Sequence, residues 1–192
     1  MRYTLLFLLS LPFWLSAQDD VKFYNNGVKA HNEGDYVTAI QCYEKCLVAN
    51  PKHSLARQNI SQAYYNQSVN AYNTNNYQRS IMFAENALRY DKKPDVYALV
   101  GNNHQRLKDY QAALVDFTEA IKISDQPAAY YAARSWVYND MLDNANRLAD
   151  MEKAAELEPT NAEYQFYAGK YKQAVSEEKF KKAITNYNKA IE

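Results

Sequence analysis

The sequence predicts an all-α protein made of about five antiparallel helix pairs. The chain of 192 residues has only four glycines and five prolines, so few positions favour loops over helices. One pattern of small and bulky residues recurs along the chain at helical spacing. The four prolines after residue 20 lie where copies of the pattern end, where a proline can stop one helix or begin the next. They are Pro51, Pro94, Pro127 and Pro159.

Residues 1–17 have the layout of a secretory signal peptide. Arg2 gives the start a positive charge, residues 5–15 are mostly apolar, and the small residue Ala17 precedes the expected cleavage site. The apolar stretch is too short to span a bilayer, which needs about 20 such residues. The alternative interpretation of this N-terminal stretch is a buried helix. We expect an exported protein, periplasmic or secreted, in which residues 18–192 form the repeat domain.

The charge balance excludes one class of partner. The chain has 22 Lys and Arg residues against 22 Asp and Glu residues, and it contains no long basic run. Nucleic-acid binding needs a concentrated positive surface, so we expect no nucleic-acid partner. After residue 17 no stretch is apolar enough to cross a membrane, so we expect no membrane span after cleavage.

The recurring pattern predicts the second helix of each pair. Its six positions are spaced by three and four residues, which places them on one helix face. Small residues there let a neighbouring helix approach, and rings fill the space beside it. The first residues of the copies are 41, 33, 34 and 36 positions apart. The copies are Tyr36, Ala39, Ile40, Tyr43, Cys46, Leu47; Tyr77, Ser80, Ile81, Ala84, Ala87, Leu88; Tyr110, Ala113, Leu114, Phe117, Ala120, Ile121; a weaker Asn144, Arg147, Leu148, Met151, Ala154, Ala155; and Phe180, Ala183, Ile184, Tyr187, Ala190, Ile191.

A turn and an earlier helix precede each copy. We expect the turns at residues 33–35, 74–76, 108–109, 143–144 and 178–179. The second repeat has seven extra residues, 54–60, which is close to two helical turns. Its first helix is therefore expected to be longer, with its face kept in register. The first helices carry Phe23, Gly27, Ala30; Tyr64, Ser68, Ala71; Tyr97, Gly101, His104; Tyr131, Ser135, Tyr138; and Tyr167, Tyr171, Ala174.

This arrangement resembles the tetratricopeptide repeat, a helix pair of about 34 residues with small-residue slots and a terminal proline. The best match is Phe23, Gly27, Ala30, Tyr36, Ala39, Tyr43, Cys46 and Pro51. The repeats are placed at residues 20–53, 54–93, 94–127, 128–161 and 162–192. The resemblance implies a right-handed superhelical solenoid whose concave surface is lined by the first helices and holds a peptide segment or a partner helix.

The register of that family assigns the residues that line the groove. Tyr24 and Val28 occupy positions where some members hold a C-terminal carboxylate with Lys and Asn, so that clamp is not expected here. The lining is rich in aromatic and amide side chains, which suit a protein partner. The expected lining is Tyr24, Val28, His31; Tyr65, Val69, Tyr72, Asn73; Ala98, Asn102, Gln105, Arg106; Ala132, Trp136, Asn139, Asp140; and Ala168, Lys172.

Three features depart from the regular pattern. Arg147 occupies a slot that is usually small, so either its stem lies along the helix surface or the fourth pair packs loosely. The fifth copy reaches Glu192 with no polar capping helix after it, which predicts a longer protein or self-association through the last helix. Cys42 and Cys46 are one helical turn apart with roughly parallel side chains, so no disulfide is expected between them.

Catalysis and cofactor binding are not expected. The three histidines are far apart, and the chain has neither metal-ligand spacing, nor a Gly-rich phosphate loop, nor a Gly-x-Ser-x-Gly elbow. The leading interpretation is a non-catalytic adaptor of the cell envelope that binds a protein in its groove. The alternatives are a structural module of a larger envelope-anchored protein that continues beyond Glu192, a docking arm of an enzyme, and self-assembly.

Overall fold

The computed structural model describes the backbone of residues 11–191 and the side chains of residues 19–186. Within these residues the chain is all-α, as predicted, with nine helices and no strand. The signal-peptide prediction for residues 1–17 lies outside the residues whose side chains are described. The helices are α1 (Leu11–Asn32), α2 (Tyr36–Ala49), α3 (Ser54–Asn73), α4 (Tyr77–Tyr90), α5 (Pro94–Arg106), α6 (Tyr110–Ile123), α7 (Ala128–Asp140), α8 (Asn144–Leu157) and α9 (Ala162–Ile191).

Consecutive helices pack as antiparallel pairs, α1 with α2, α3 with α4, α5 with α6 and α7 with α8. The chain divides into two compact units, the first up to Lys92 and the second from Lys93. Helix α3 has 20 residues against 13 in α5, which confirms the longer first helix of the second repeat. None of the described helices has both the length and the apolar character needed to cross a bilayer.

The turns inside these four pairs share the same backbone structure. One residue takes a left-handed backbone conformation, and the next residue caps the following helix with its side-chain oxygen. At the first turn Gly34 has φ +79°, and the Asp35 carboxylate accepts a hydrogen bond from the backbone N–H of Thr38 at 3.0 Å. The left-handed residues of the other turns are Asn75, Lys108 and Leu142, and their caps are Asn76, Asp109 and Asp143.

The small-residue slots let a ring from the second helix lie against the backbone of the first. An added Cβ at Gly27 would lie 2.6 Å from the Tyr43 ring, and one at Gly101 would lie 3.0 Å from the Phe117 ring. Both rings are buried, with 1% and 0% of their surface exposed. Cys46 is fully buried in the same pattern, and Cys42 is half-buried.

Serines replace glycine and alanine in the slots of the second pair. Ser68 Oγ donates to the carbonyl oxygen of Ser80 at 2.8 Å, and Ser80 Oγ donates to the carbonyl oxygen of Ser68 at the same distance. Both side chains are fully buried, so these bonds satisfy hydroxyls that would otherwise be costly to bury. The pattern therefore tolerates a small polar residue, because the backbone carbonyl oxygens of the facing helix are close enough to accept its hydrogen bond.

The predicted turn at residues 178–179 is wrong, because α9 runs without interruption from Ala162 to Ile191. Lys179 stands where the other pairs have a capping Asp or Asn, and a lysine side chain cannot accept a bond from the backbone N–H groups of a new helix. Tyr171 stands in the first-helix slot that holds glycine or serine in the other four pairs, so no ring could pack there. Both substitutions favour one continuous helix.

The first half of α9 has two faces of different character. It packs on α8 with an apolar face that includes Ala168 and Tyr171, which are 8% and 4% exposed. Its opposite face carries Glu163, Lys170 and Gln173, all exposed. A helix that is apolar towards the repeats and polar towards water has the character of a solenoid cap.

Candidate protein-binding surface

The first-helix face is the surface on which successive first helices approach each other within each unit. In the first unit Asn59 donates through Nδ2 to the Tyr24 hydroxyl at 3.2 Å, and Asn66 Nδ2 lies 3.2 Å from His31 Nε2. Each pair joins α1 to α3 and spans 35 residues. The Tyr24 ring also lies against His53, with ring centres 4.7 Å apart. Bonds between successive first helices thus hold this face in one geometry.

The second unit repeats this ladder between α5 and α7. Gln105 donates through Nε2 to Asp140 Oδ2 at 2.7 Å, and the Tyr130 hydroxyl donates to the Asp95 carboxylate. Both pairs are again 35 residues apart. The repeat therefore places polar side chains of successive first helices within bonding distance, one position out of register with a 34-residue repeat.

The structure places the expected lining residues in three environments. Asn73, Arg106, Asp140 and Lys172 are exposed, whereas Ala132 and Ala168 pack in the core of the second unit and offer little surface on the first-helix face. The remaining residues are half-buried, so each presents part of its surface to solvent. These are Tyr24, Val28, His31, Tyr65, Val69, Tyr72, Ala98, Asn102, Gln105, Trp136 and Asn139.

Trp136 is held within an aromatic cluster of the second unit. Its ring centre lies 5.0 Å from that of Tyr167 and 6.3 Å from that of Tyr171. Arg147, whose slot is usually small, turns its guanidinium over the Tyr171 ring at 4.1 Å and donates through Nη1 to Asn139 Oδ1 at 2.8 Å. Trp136 and Asn139 therefore stabilise the junction of α7, α8 and α9, which limits what they can offer a partner.

A pocket of about 390 Å³ in the first unit was not predicted from the sequence. It lies beside the first turn, between Tyr36 and Val37 of α2, the polar face of α3 around Asn70, and Arg79 and Phe83 of α4. The Arg79 guanidinium lies 5.3 Å from the centre of the Phe83 ring. Three separate segments form this pocket, so no local pattern could have indicated it.

Two histidines on the first helices have defined surroundings. Burial lowers the pKa of His31, so its ring is uncharged at neutral pH and its bond to Asn66 is between neutral groups. In the second unit His104 Nδ1 lies 2.7 Å from Asp116 Oδ2, which ties α5 to α6. Among the described residues no group of three or more His, Cys, Asp or Glu side chains is arranged to hold a metal ion.

Comparison with known proteins agrees with this geometry. Residues 94–127, which form α5 and α6, match the family model described as a tetratricopeptide repeat. The chain also resembles the crystal structure of MamA, at 20% identity and a TM-score of 0.56, over 87% of this chain and 95% of that one. Residues 94–127 thus match a tetratricopeptide repeat, and the fold of the chain is that of solved tetratricopeptide-repeat structures.

Two further solved structures show the same fold. The TPR domain of Arabidopsis OM64 has 19% identity and a TM-score of 0.55, over 61% of this chain and 98% of that domain. YrrB, described as a TPR protein with an unusual peptide-binding site, has 15% identity and a TM-score of 0.56, over 88% of this chain and 84% of YrrB.

Proposed function

We propose that this chain is an exported, non-catalytic scaffold of the cell envelope that binds a peptide segment or a partner helix along its first-helix face. The proposal rests on one observation above the others. Each unit holds half-exposed aromatic and amide side chains on its first helices, and hydrogen bonds between successive first helices fix the helices that carry them.

The chemistry of this face suits an extended or helical partner. Amide side chains such as Asn102 bond to backbone N–H and C=O groups of any sequence, and rings such as Tyr65 and Tyr72 supply apolar contact area. The ladder bonds order the face before a partner arrives, so less conformational entropy is lost on binding. Because His31 is neutral, recognition in the first unit depends on shape and hydrogen bonding more than on charge.

The proposed location in the envelope rests on the layout of residues 1–17. Export would remove these residues, so the purified protein from the producing cell should begin at Gln18. Mass spectrometry of the intact chain measures this directly, and fractionation of the cells locates the product. A chain that retains its first residues and stays in the cytoplasm would contradict the proposed export, while leaving the binding proposal intact.

The binding proposal is tested with a variant in which Val69→Glu and Asn102→Glu place a carboxylate on the first-helix face of each unit. The matched control has Val48→Glu and Val115→Glu, at positions on second helices that are 83% and 64% exposed. Both variants add two negative charges without changing a fully buried side chain. Each is immobilised and exposed to an envelope extract, and the bound proteins are identified by mass spectrometry.

We expect the unchanged protein and the control to retain the same partner and the first-helix variant to lose it. Titration of the identified partner should then show at least a tenfold weaker dissociation constant for the first-helix variant, or about 1.4 kcal/mol. Equal binding by all three proteins would exclude the first-helix face. The absence of any specific partner would favour a structural module of a larger assembly.

A further inference from the structure

The distal segment of α9, residues 177–191, exposes a helix face of the kind that the other second helices bury. Phe180 is 68% exposed and Ile184 is 45% exposed. The positions equivalent to Ala183 and Ile184 in the first repeat are Ala39 and Ile40, which are 0% and 7% exposed. The pattern of a packing helix thus continues into a segment whose described side chains are exposed to solvent.

A groove of about 620 Å³ lies between α8 and the first half of α9. Ala155, Ala168 and Gly169 form its small-residue floor, and a Cβ added at Gly169 would meet no heavy atom within 4 Å. Glu152 and Glu156 stand on its α8 side, with side chains 48% and 68% exposed. The groove therefore offers a floor that another helix can approach closely, with an acidic side.

The distal segment cannot reach the groove of its own chain in this structure. Phe180 lies eleven residues beyond Gly169 on one continuous helix, about 16 Å further along its axis at about 1.5 Å per residue. A segment that is held away from the groove by an unbroken helix can fill the same groove of another copy. Exchange of an identical element between two copies is a low-cost route to a dimer.

The charges on the two surfaces are complementary. Lys179 and Lys181 lie on either side of Phe180, each about 100° from it around the helix axis. Glu177, the nearest carboxylate, accepts a hydrogen bond from Gln173 of its own helix. In the groove, the Glu152 carboxylate forms an ion pair with Lys172 of the same chain at 3.5 Å. The Glu156 carboxylate forms an ion pair with a lysine of its own helix at 3.0 Å. Such exposed ion pairs contribute little stability, so the glutamates can exchange them for lysines of an incoming helix.

We propose that the distal segment of α9 docks in the α8–α9 groove of a second copy, and that the exchange is reciprocal, giving a two-fold symmetric dimer. Each copy then contributes one helix and one groove, so a single pair of surfaces is used twice. The dimer is a property of the second unit and does not depend on the first-helix face having a partner.

The first test measures the mass of the full chain in solution by sedimentation equilibrium, with its N-terminus established by mass spectrometry. We expect the unchanged protein to form a dimer and the Phe180→Asp variant to weaken it by at least about tenfold, because a charge replaces the apolar contact. Val115→Asp, on α6 at 64% exposure, is the matched control and should leave the dimer unchanged. Circular dichroism verifies that all three remain helical.

The second test assigns the contact by exchanging charges. A groove variant carries Glu152→Lys and Glu156→Lys, and a distal-segment variant carries Lys179→Glu and Lys181→Glu. Alone, each variant brings like charges together in both docking sites, so each should be mainly monomeric. In a mixture of the two, one site pairs native lysines with native glutamates and the other pairs reversed charges, so the mixed dimer should form.

Several outcomes would overturn the proposal. One is an unchanged protein that stays monomeric across the concentration range. Another is a dimer that persists in the groove variant, which would indicate pairing between distal segments instead. A mixture that fails to restore the dimer when both variants are fully helical would exclude the complementary contact.

Discussion

Replacing Gly27 with alanine should destabilise the first unit, although alanine is the better helix former. The added Cβ would lie 2.6 and 2.7 Å from two atoms of the Tyr43 ring, which is closer than carbon atoms can approach. The ring has little room to move, because it is 1% exposed and has Tyr24 and His31 nearby, with ring centres 6.0 and 6.4 Å away. The helices must therefore separate or the ring must leave its preferred position.

The expected size of the effect follows from two opposing contributions. Alanine lowers the free energy of a helix by about 1 kcal/mol relative to glycine. Overpacking a buried contact costs about 1–3 kcal/mol. We expect Gly27→Ala to lower the free energy of unfolding by up to about 2 kcal/mol, which corresponds to a drop of up to about 8 °C in Tm for a chain of this size. Urea unfolding followed by circular dichroism at 222 nm measures it.

Gly169→Ala is the matched control, since it makes the same chemical change inside another helix. No heavy atom lies within 4 Å of the added Cβ, so only the helix preference remains and the protein should gain up to about 1 kcal/mol. Adding Tyr43→Leu to Gly27→Ala should relieve the clash. The double variant should therefore lose less stability than the two single variants do together, which is a favourable coupling energy. If both glycine variants change stability equally, or if the coupling is absent, the argument from ring contact is refuted.

Three further predictions rest on other contacts. Leu142 is 84% exposed at φ +60°, so Leu142→Gly should raise the free energy of unfolding by about 0.5–1 kcal/mol, and Gly34→Ala at φ +79° should lower it, both in urea unfolding. Burial raises the pKa of Tyr43 to about 12 from its ordinary value of 10.0. The uncharged hydroxyl therefore contributes its full stabilisation below pH 10, and this stabilisation is lost between pH 10 and 12. Tyr43→Phe should make the free energy of unfolding less dependent on pH in that range. The Arg134 guanidinium donates two hydrogen bonds of 2.8 Å to the Asp150 carboxylate, and the two side chains are only 17% and 9% exposed. Asp150→Ala should lower the free energy of unfolding by about 3 kcal/mol, because it leaves a buried charge without its partner. The double variant Arg134→Met with Asp150→Leu should lower it far less, and equal losses for the two variants would contradict this.

The helix pairs were predictable because each depends on residues close together in the chain. Helices α2, α4, α6 and α8 begin at Tyr36, Tyr77, Tyr110 and Asn144, the positions at which the recurring pattern starts. Capping side chains and left-handed turn residues act within a few residues of each other, so the printed sequence contains both partners of the interaction.

The candidate surface was predictable only in part. The register correctly placed exposed side chains at Asn73 and Arg106, but Ala132 and Ala168 proved to be buried. The ladder bonds, such as Gln105 to Asp140, were also not foreseen. A bond across 35 residues depends on the rotation of each helix about its axis, and periodicity alone does not determine that rotation to within one position.

The fifth copy of the pattern shows where sequence and tertiary structure differ most. Its spacing matches the other copies, so periodicity predicted a fifth pair. Lys179 in the capping position and Tyr171 in the small slot are the two signals against it, and both are visible in the sequence once the other four pairs are known. Without those pairs as a reference, neither residue would have seemed exceptional.

The sequence by itself determined the helices, four of the turns and the slots in which rings meet small residues, because these depend on local backbone preferences and on spacing along one helix face. Only the tertiary structure decided which faces remain in solvent. Tyr171 is buried against α8, while Phe180 on the same helix is exposed, although both are aromatic side chains at positions of one repeating pattern. Burial depends on the presence of a neighbouring surface in space, which a one-dimensional pattern does not contain.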